Sequence, residues 1–298
     1  MQNLVIPNLP EPLAVVCHDA GATNIILAWL RTIPTISRRV FIQGPAIKLW
    51  SATFPDEPLD DNLNAVLKDA ATLLSGTGWS SDLEHKSRRI AQEYGISSIA
   101  VVDHWVNYAE RFCRDGIQVL PNEMWVTDEY ALAKAKHCFP EQKIYLQPNL
   151  YLIEQLRCIP SIDTVVTPEL LYILEPTRNE WGRDTPGEFQ ALDYFITQLP
   201  SLNLPSSCII HLRPHPSDPS GKYSDWIFCQ KQKGYRIILD ETVSISEAIG
   251  RARWVAGCES FALVLALEAK REVFCTLPPW AHSCRLPHQG LIHLKNSE

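Results

Sequence analysis

Short apolar runs, each ending in a corner of small or polar residues and most of them followed by a helical stretch, recur along this chain; nothing else limits its fold as strongly. Leu13-Ala14-Val15-Val16-Cys17 leads into His18-Asp19-Ala20-Gly21-Ala22-Thr23-Asn24, after which Ile25 to Leu30 reads as a helix. Val40-Phe41-Ile42 is a second run, and Leu73-Leu74 opens into Ser75-Gly76-Thr77-Gly78 with a helix from Asp82 to Tyr94 behind it. Ile99 to Val102 ends in Asp103-His104-Trp105-Val106-Asn107-Tyr108, Glu123 to Thr127 meets Asp128-Glu129-Tyr130, and Lys143 to Leu146 runs to Pro148-Asn149. Runs with no polar face need cover on both sides, and the helices between them supply it, so the pattern predicts a parallel sheet in an α/β fold.

The pattern then starts again. Between Tyr151 and Pro168 the polarity is mixed and prolines appear at 160 and 168, which marks a domain junction. Leu171 to Leu174 begins a second series, with a polar loop from Glu175 to Gly187 and a helix from Glu188 to Leu199. Cys208 to Leu212, Tyr235 to Leu239, Trp254 to Ala256 and Glu272 to Cys275 continue it, and Ser244 with Glu247 three residues on is a capping-box pattern for the helix ending at Arg251. A chain of 298 residues is long enough for two ordinary domains, read here as 1–150 and 151–298.

The corner with most chemistry is His211-Leu212-Arg213-Pro214-His215-Pro216-Ser217-Asp218. Pro214 and Pro216 forbid the strand from continuing as a paired ladder. In open α/β sheets ligands gather at the carboxyl ends of strands, so Arg213, His215 and Ser217 are candidates for holding an anion such as phosphate. A second anion corner is Gly257-Cys258-Glu259-Ser260, after an apolar strand and before a helix whose first amides lack partners. The plainer alternatives are a strand-ending turn for the prolines and simple helix capping by Ser260.

In the first half, Asp19 at a strand end has the chemistry of a general base toward an alcohol, with His18 beside it and small residues that let a substrate approach the backbone. Capping of the next helix is the competing role for Asp19. Asp103, His104, Trp105 and Asn107 combine a carboxylate, an imidazole, an indole and an amide, a mixture that fits the wall of a polyhydroxyl pocket. Gly76-Thr77-Gly78 has neither the dinucleotide nor the P-loop spacing.

Several classes are disfavoured. A net charge of −7 and an isoelectric point near 5.7 argue against broad nucleic-acid binding. The nine cysteines contain no CxxC pair and no zinc-type histidine spacing, a pattern expected of reduced thiols in the cytoplasm, and no metal or other cofactor is expected. No run of 18 apolar residues and no signal-peptide pattern occurs, so the expectation is a cytoplasmic protein without a transmembrane segment, with peripheral membrane contact left open. There is no GxSxG elbow and no kinase or P-loop signature.

The two α/β halves, Arg213-Pro214-His215-Pro216, Gly257 to Phe261 with the helix from Ala262 to Lys270, Leu277-Pro278-Pro279, and Asp19-Ala20-Gly21 together resemble the GT-B class of glycosyltransferases. More narrowly, the chain resembles the bacterial His-Pro-motif enzymes of capsule and lipooligosaccharide assembly, which include sialyltransferases, polysialyltransferases and Kdo transferases. About twenty residues carry the motif likeness. It departs from that pattern in having Asp19-Ala20 for an acidic pair and Glu259-Ser260 for paired hydroxyls. The resemblance implies two Rossmann-like domains facing across a cleft and transfer of a sugar from a nucleotide-activated donor, with CMP-sugars favoured, to a glycan or lipid-linked acceptor. It also implies phosphate binding by His215, phosphate or nucleotide contact by Ser260 with Glu259, and base catalysis by Asp19. Retention or inversion is not assigned. A CDP-glycerol-type phosphotransferase, a UDP-sugar 2-epimerase and a non-enzymatic nucleotide-binding protein remain the alternatives.

Overall fold

The computed structural model describes residues 9–78, 81–175 and 181–296. The chain divides into two units, Met1–Tyr151 and Leu152–Glu298.

In the first unit the strands are β1 (Leu13–Cys17), β2 (Arg38–Ile42), β3 (Thr72–Ser75), β4 (Ser97–Val101), a small antiparallel hairpin of β5 (Cys113–Arg114) and β6 (Ile117–Gln118), β7 (Glu123–Val126) and β8 (Lys143–Leu146). Six of these form one sheet in the order β2-β1-β3-β4-β7-β8, parallel throughout. Both faces of its inner strands are covered: every residue of β1 and β3 is buried, including Thr72 and Ser75 at the two ends of β3. The helices are α1 (Ala20–Leu30), α2 (Ala46–Thr53), α3 (Leu63–Lys68), α4 (Leu83–Tyr94) and α5 (Glu129–Cys138). Ala14, Val16, Leu67 and Leu73 meet Leu83, Ile90 and Ala91 of α4 in one core layer.

Helix α6 (Leu150–Arg157) contains the boundary between the units. The second unit has β9 (Glu169–Ile173), β10 (Ile209–Arg213), β11 (Ile237–Leu239), β12 (Trp254–Gly257), β13 (Glu272–Cys275) and β14 (Leu291–His293), with helices α7 (Gly187–Gln198), α8 (Ser224–Gln232), α9 (Ile245–Arg251) and α10 (Phe261–Glu268). The sheet order is β11-β10-β9-β12-β13-β14, again all parallel. This is the doubly wound order in which the connections reverse direction between the first and fourth strands. The fold is therefore two Rossmann-like α/β units, as the alternation of runs predicts. The sixth strand of this sheet, β14, lies outside the runs recognised in the sequence, and residues 176–180 of the expected polar loop lie outside the described residues.

Ser244 does cap α9, accepting from the Glu247 amide at 3.1 Å, but the Glu247 carboxylate turns back to the amide of Val243, at 3.3 Å, and not to that of Ser244. The box is shifted by one residue. Gly257 closes β12 against β9 so tightly that an added Cβ would lie 2.9 Å from the Ile173 carbonyl oxygen. Gly257→Ala should therefore lower stability by about 1–3 kcal/mol through overpacking, read as an earlier urea midpoint with an unchanged slope.

Candidate functional site

Each sheet directs its reversal point to a cluster of polar groups. In the second unit Arg213, Ile173 and Gly257 are in-register partners on β10, β9 and β12. Two residues beyond this row stand His215, Glu175 and Glu259. The corner before α10 is organised by Glu175, whose Oε1 accepts from the backbone amides of Glu259 and Ser260, at 2.8 Å each. Ser260 caps the helix, its hydroxyl accepting from the Ala262 amide at 3.2 Å. The amide pair that the sequence pattern offers to an anion thus holds an anion from the protein itself.

Burial raises the Glu175 carboxyl to about 7; the amides of Glu259 and Ser260 pull against this, and the neighbouring Glu259 carboxylate adds to it. Glu259 turns its own side chain the other way. Its carboxylate accepts from the Arg285 amide at 3.1 Å, pairs with the Arg285 guanidinium, and meets His282 Nε2 at 2.9 Å. Burial opposes its ionisation, but Arg285 and His282 outweigh that and hold the carboxyl below its ordinary value.

The His-Pro corner is a fixed turn. The Asp218 carboxylate accepts from the His215 amide at 3.0 Å and from Lys222 Nζ at 2.7 Å, and the Asp218 amide donates to the His215 carbonyl at 2.9 Å. His215 is exposed as a residue, with Nδ1 2.7 Å from Ser217 Oγ, and partial desolvation of the imidazole, opposed by Asp218, lowers its pKa below the ordinary value. Arg213 is directed elsewhere: its Nη1 pairs with Asp240 and donates to the Thr242 hydroxyl at 2.8 Å, tying β10 to the end of β11. Ser217, like His215, is exposed.

In the first unit the reversal falls between β1 and β3, which carry His18-Asp19 and Gly76-Thr77-Gly78 at their ends. Asp19 occupies the N-cap position of α1, yet its side chain makes no capping bond. Its Oδ1 lies 2.7 Å from His18 Nδ1 instead, which separates it from the capping role. A Cβ on Gly78 would stand 2.5 Å from Asp19 Oδ2, and one on Gly21 only 1.9 Å from Asp103 Oδ2, so backbone approaches both carboxylates closely. Asp103 is held by Arg111 Nη1 at 2.9 Å, and the same nitrogen donates to the Thr77 carbonyl at 3.0 Å. Behind them sits Glu84, fully buried, whose Oε1 accepts from the His18 amide at 2.8 Å. Burial raises its carboxyl to about 7. One helical turn on, the buried Arg88 caps the carbonyls of Gly76 and Arg111, at 3.1 Å each.

The remaining first-unit candidates divide. Trp105 is buried, its indole N–H donating to Asp128 at 3.0 Å, so it packs under this corner. His104 is partly exposed and its Nδ1 accepts from the Trp105 amide at 3.0 Å. Asn107 is partly exposed, adopts a left-handed backbone with φ 58° and accepts from the Arg111 amide at 3.0 Å. Glu84, Arg111, Glu175 and Arg285 were not singled out in the sequence. For Glu84 and Arg88 the signal available was their four-residue spacing on one helix, which puts an ion-pair-capable couple on the same face.

No protein-family model matches the chain, and no curated protein matches it in sequence. Among solved structures it is similar to the UDP-GlcNAc 2-epimerase of Methanocaldococcus jannaschii in complex with UDP-GlcNAc and UDP, at TM-score 0.64 and 11% identity over 96% of this chain and 91% of that one. An MnaA–UDP co-structure from S. aureus gives TM-score 0.59 at 10% identity, covering 88% of this chain and 78% of that one. The UDP-GlcNAc-bound 2-epimerase of Neisseria meningitidis gives 0.55 at 10% identity, covering 88% and 81%. The likeness is one of fold, the GT-B class with its two Rossmann-like units. Among the described residues no helix is long and apolar enough to cross a membrane.

Proposed function

We propose that this protein is an enzyme acting on a nucleotide-activated sugar, and that it transfers the sugar to a hydroxyl acceptor. The observation that carries the reading is the Glu175 carboxylate on the amides of Glu259 and Ser260. Those amides bind an oxyanion, they stand at the sheet reversal where such folds hold nucleotides, and the α10 dipole favours negative charge there. A donor phosphate would take the same amides, with Glu175 yielding them in its neutral form. His215 on the adjacent strand end would donate to the same phosphate.

In the proposed reaction the acceptor O–H gives its proton to Asp19, its oxygen bonds to the anomeric carbon, and the bond from that carbon to the phosphate oxygen breaks. The nucleotide leaves with the electron pair, and His215 and the α10 amides stabilise the charge. His18 orients the Asp19 carboxylate. The His-Pro corner supports a CMP-sugar of the nonulosonate type; fold relatives named for UDP-GlcNAc and UDP support a uridine nucleotide and a second reaction, epimerisation without an acceptor.

A thermal-shift series with CMP, CDP, UDP and GDP tests the binding claim, because a ligand of the native state raises its stability by mass action. Release of nucleotide that requires an added glycan acceptor supports transfer, and conversion of the sugar without one supports epimerisation. No shift with any nucleotide rejects the reading.

Glu175 predicts a pH dependence of definite sign. Below about 7 it is neutral and releases the amides; above, the carboxylate competes for them and repels phosphate. Affinity for a sugar nucleotide whose phosphates are all diesters, and so do not titrate in this range, should fall as pH rises through about 7. Glu175→Gln should flatten the profile, as followed by calorimetric titration. In the unliganded protein the raised carboxyl means that the unfolded chain loses this proton first, so stability falls between the ordinary carboxyl range and about 7.

A further inference from the structure

Pairing of the last two strands creates a juxtaposition that chain spacing conceals. Cys275 on β13 and His293 on β14 are in-register partners, and the connection between these strands carries Cys284 back to them. The two sulfurs and an imidazole nitrogen lie within 4.8 Å of one another. Tetrahedral coordination with zinc–sulfur bonds of about 2.3 Å places two sulfurs about 3.8 Å apart, so a small contraction of this set reaches bonding distance. Cys275 is buried and the other two are partly buried.

We propose that Cys275, Cys284 and His293 bind one zinc ion, with a water or an outside ligand in the fourth position. Two soft thiolates and an imidazole select a metal of this class over magnesium or calcium. Both thiols release their protons to solvent as the metal–sulfur bonds form, and the imidazole binds in its neutral form.

The location gives the ion a structural task. Cys275 Sγ lies 3.1 Å from the Cys258 carbonyl, one residue before the Glu259-Ser260 corner. Arg285, the neighbour of Cys284, holds the Glu259 carboxylate. Zinc would fasten the β13–β14 connection and, through Arg285, steady the amides that Glu175 occupies. Cys284 and His293 act on that corner as positioning residues, since neither touches the corner's amides.

The test uses the untagged full chain, loaded with zinc under reducing conditions and dialysed against metal-free buffer. Elemental mass spectrometry should find about one zinc per chain, falling several-fold or more in both Cys284→Ser and His293→Ala, while Cys229→Ser, at an exposed thiol, retains the metal. Near-UV circular dichroism checks that each variant is folded. Cobalt loading of the wild type should give thiolate-to-cobalt charge-transfer absorption that weakens in Cys284→Ser. Wild-type protein that keeps no zinc, or variants that keep as much as the wild type, would each overturn the site.

Discussion

Asp19→Asn is expected to lower turnover by roughly 10²–10⁴-fold, the range for losing a positioned general base, while nucleotide affinity changes little. Asparagine keeps the size of the side chain and its oxygen can still face His18 Nδ1, so the lip formed by β1 and Gly78 should persist. What it lacks is the capacity to take a proton. Single-turnover rates with a saturating donor measure the chemical step, and thermal shifts with the same nucleotide measure binding. A variant with near-wild-type turnover removes Asp19 from the reaction, whereas lost turnover with lost folding says only that the His18–Asp19 pair is structural.

Trp29→Ala should destabilise the first unit by about 3–5 kcal/mol, the cost of emptying a large buried aromatic site. Trp29 is fully buried in α1, meets Trp125 of β7 edge-to-face at 5.5 Å between ring centroids, and donates its indole N–H to the Pro148 carbonyl at 2.8 Å. Truncation leaves a cavity and removes one of two donors to the Pro148 carbonyl, which keeps the Leu150 amide at 3.0 Å. Trp29→Phe should recover much of the packing and none of the hydrogen bond, so its loss should be smaller. Urea unfolding followed by circular dichroism separates the two variants, and a loss below about 1 kcal/mol for alanine would mean that the core closes over the gap.

Local chemistry made the strands of the first sheet legible: Leu13 to Cys17 and Ile99 to Val102 are apolar on both faces, and only a covered parallel strand tolerates that. Ser244 was legible for the same reason, since a cap acts within a few residues. Leu291-Ile292-His293 was not, because three residues carry no periodicity and their strand state comes from pairing with β13. Helices α2 and α3, of 8 and 6 residues, are too short for a helical period to stand out in the sequence. The site divides along the same line. His18, Asp19 and His215 are recognisable from the corners in which they sit. The direction of the Arg213 guanidinium is decided by Asp240, at the end of a different strand, and the burial of Trp105 by Asp128. Glu175 reads as the start of a polar loop until β9 and β12 are paired, which brings residues distant in the chain to one set of amides.

The order of strands in the second sheet bears on how the molecule can be made. β9 emerges first from the ribosome but is flanked by β10 on one side and by β12, far later in the chain, on the other. Until Trp254–Gly257 has been synthesised, one edge of this central strand has no partner, and its apolar faces await helices not yet translated. The first unit has all its strands by then. Nascent chains halted between β11 and β12 should therefore carry a finished amino-terminal body and a sticky, half-built second one, the state in which chaperone engagement and aggregation concentrate.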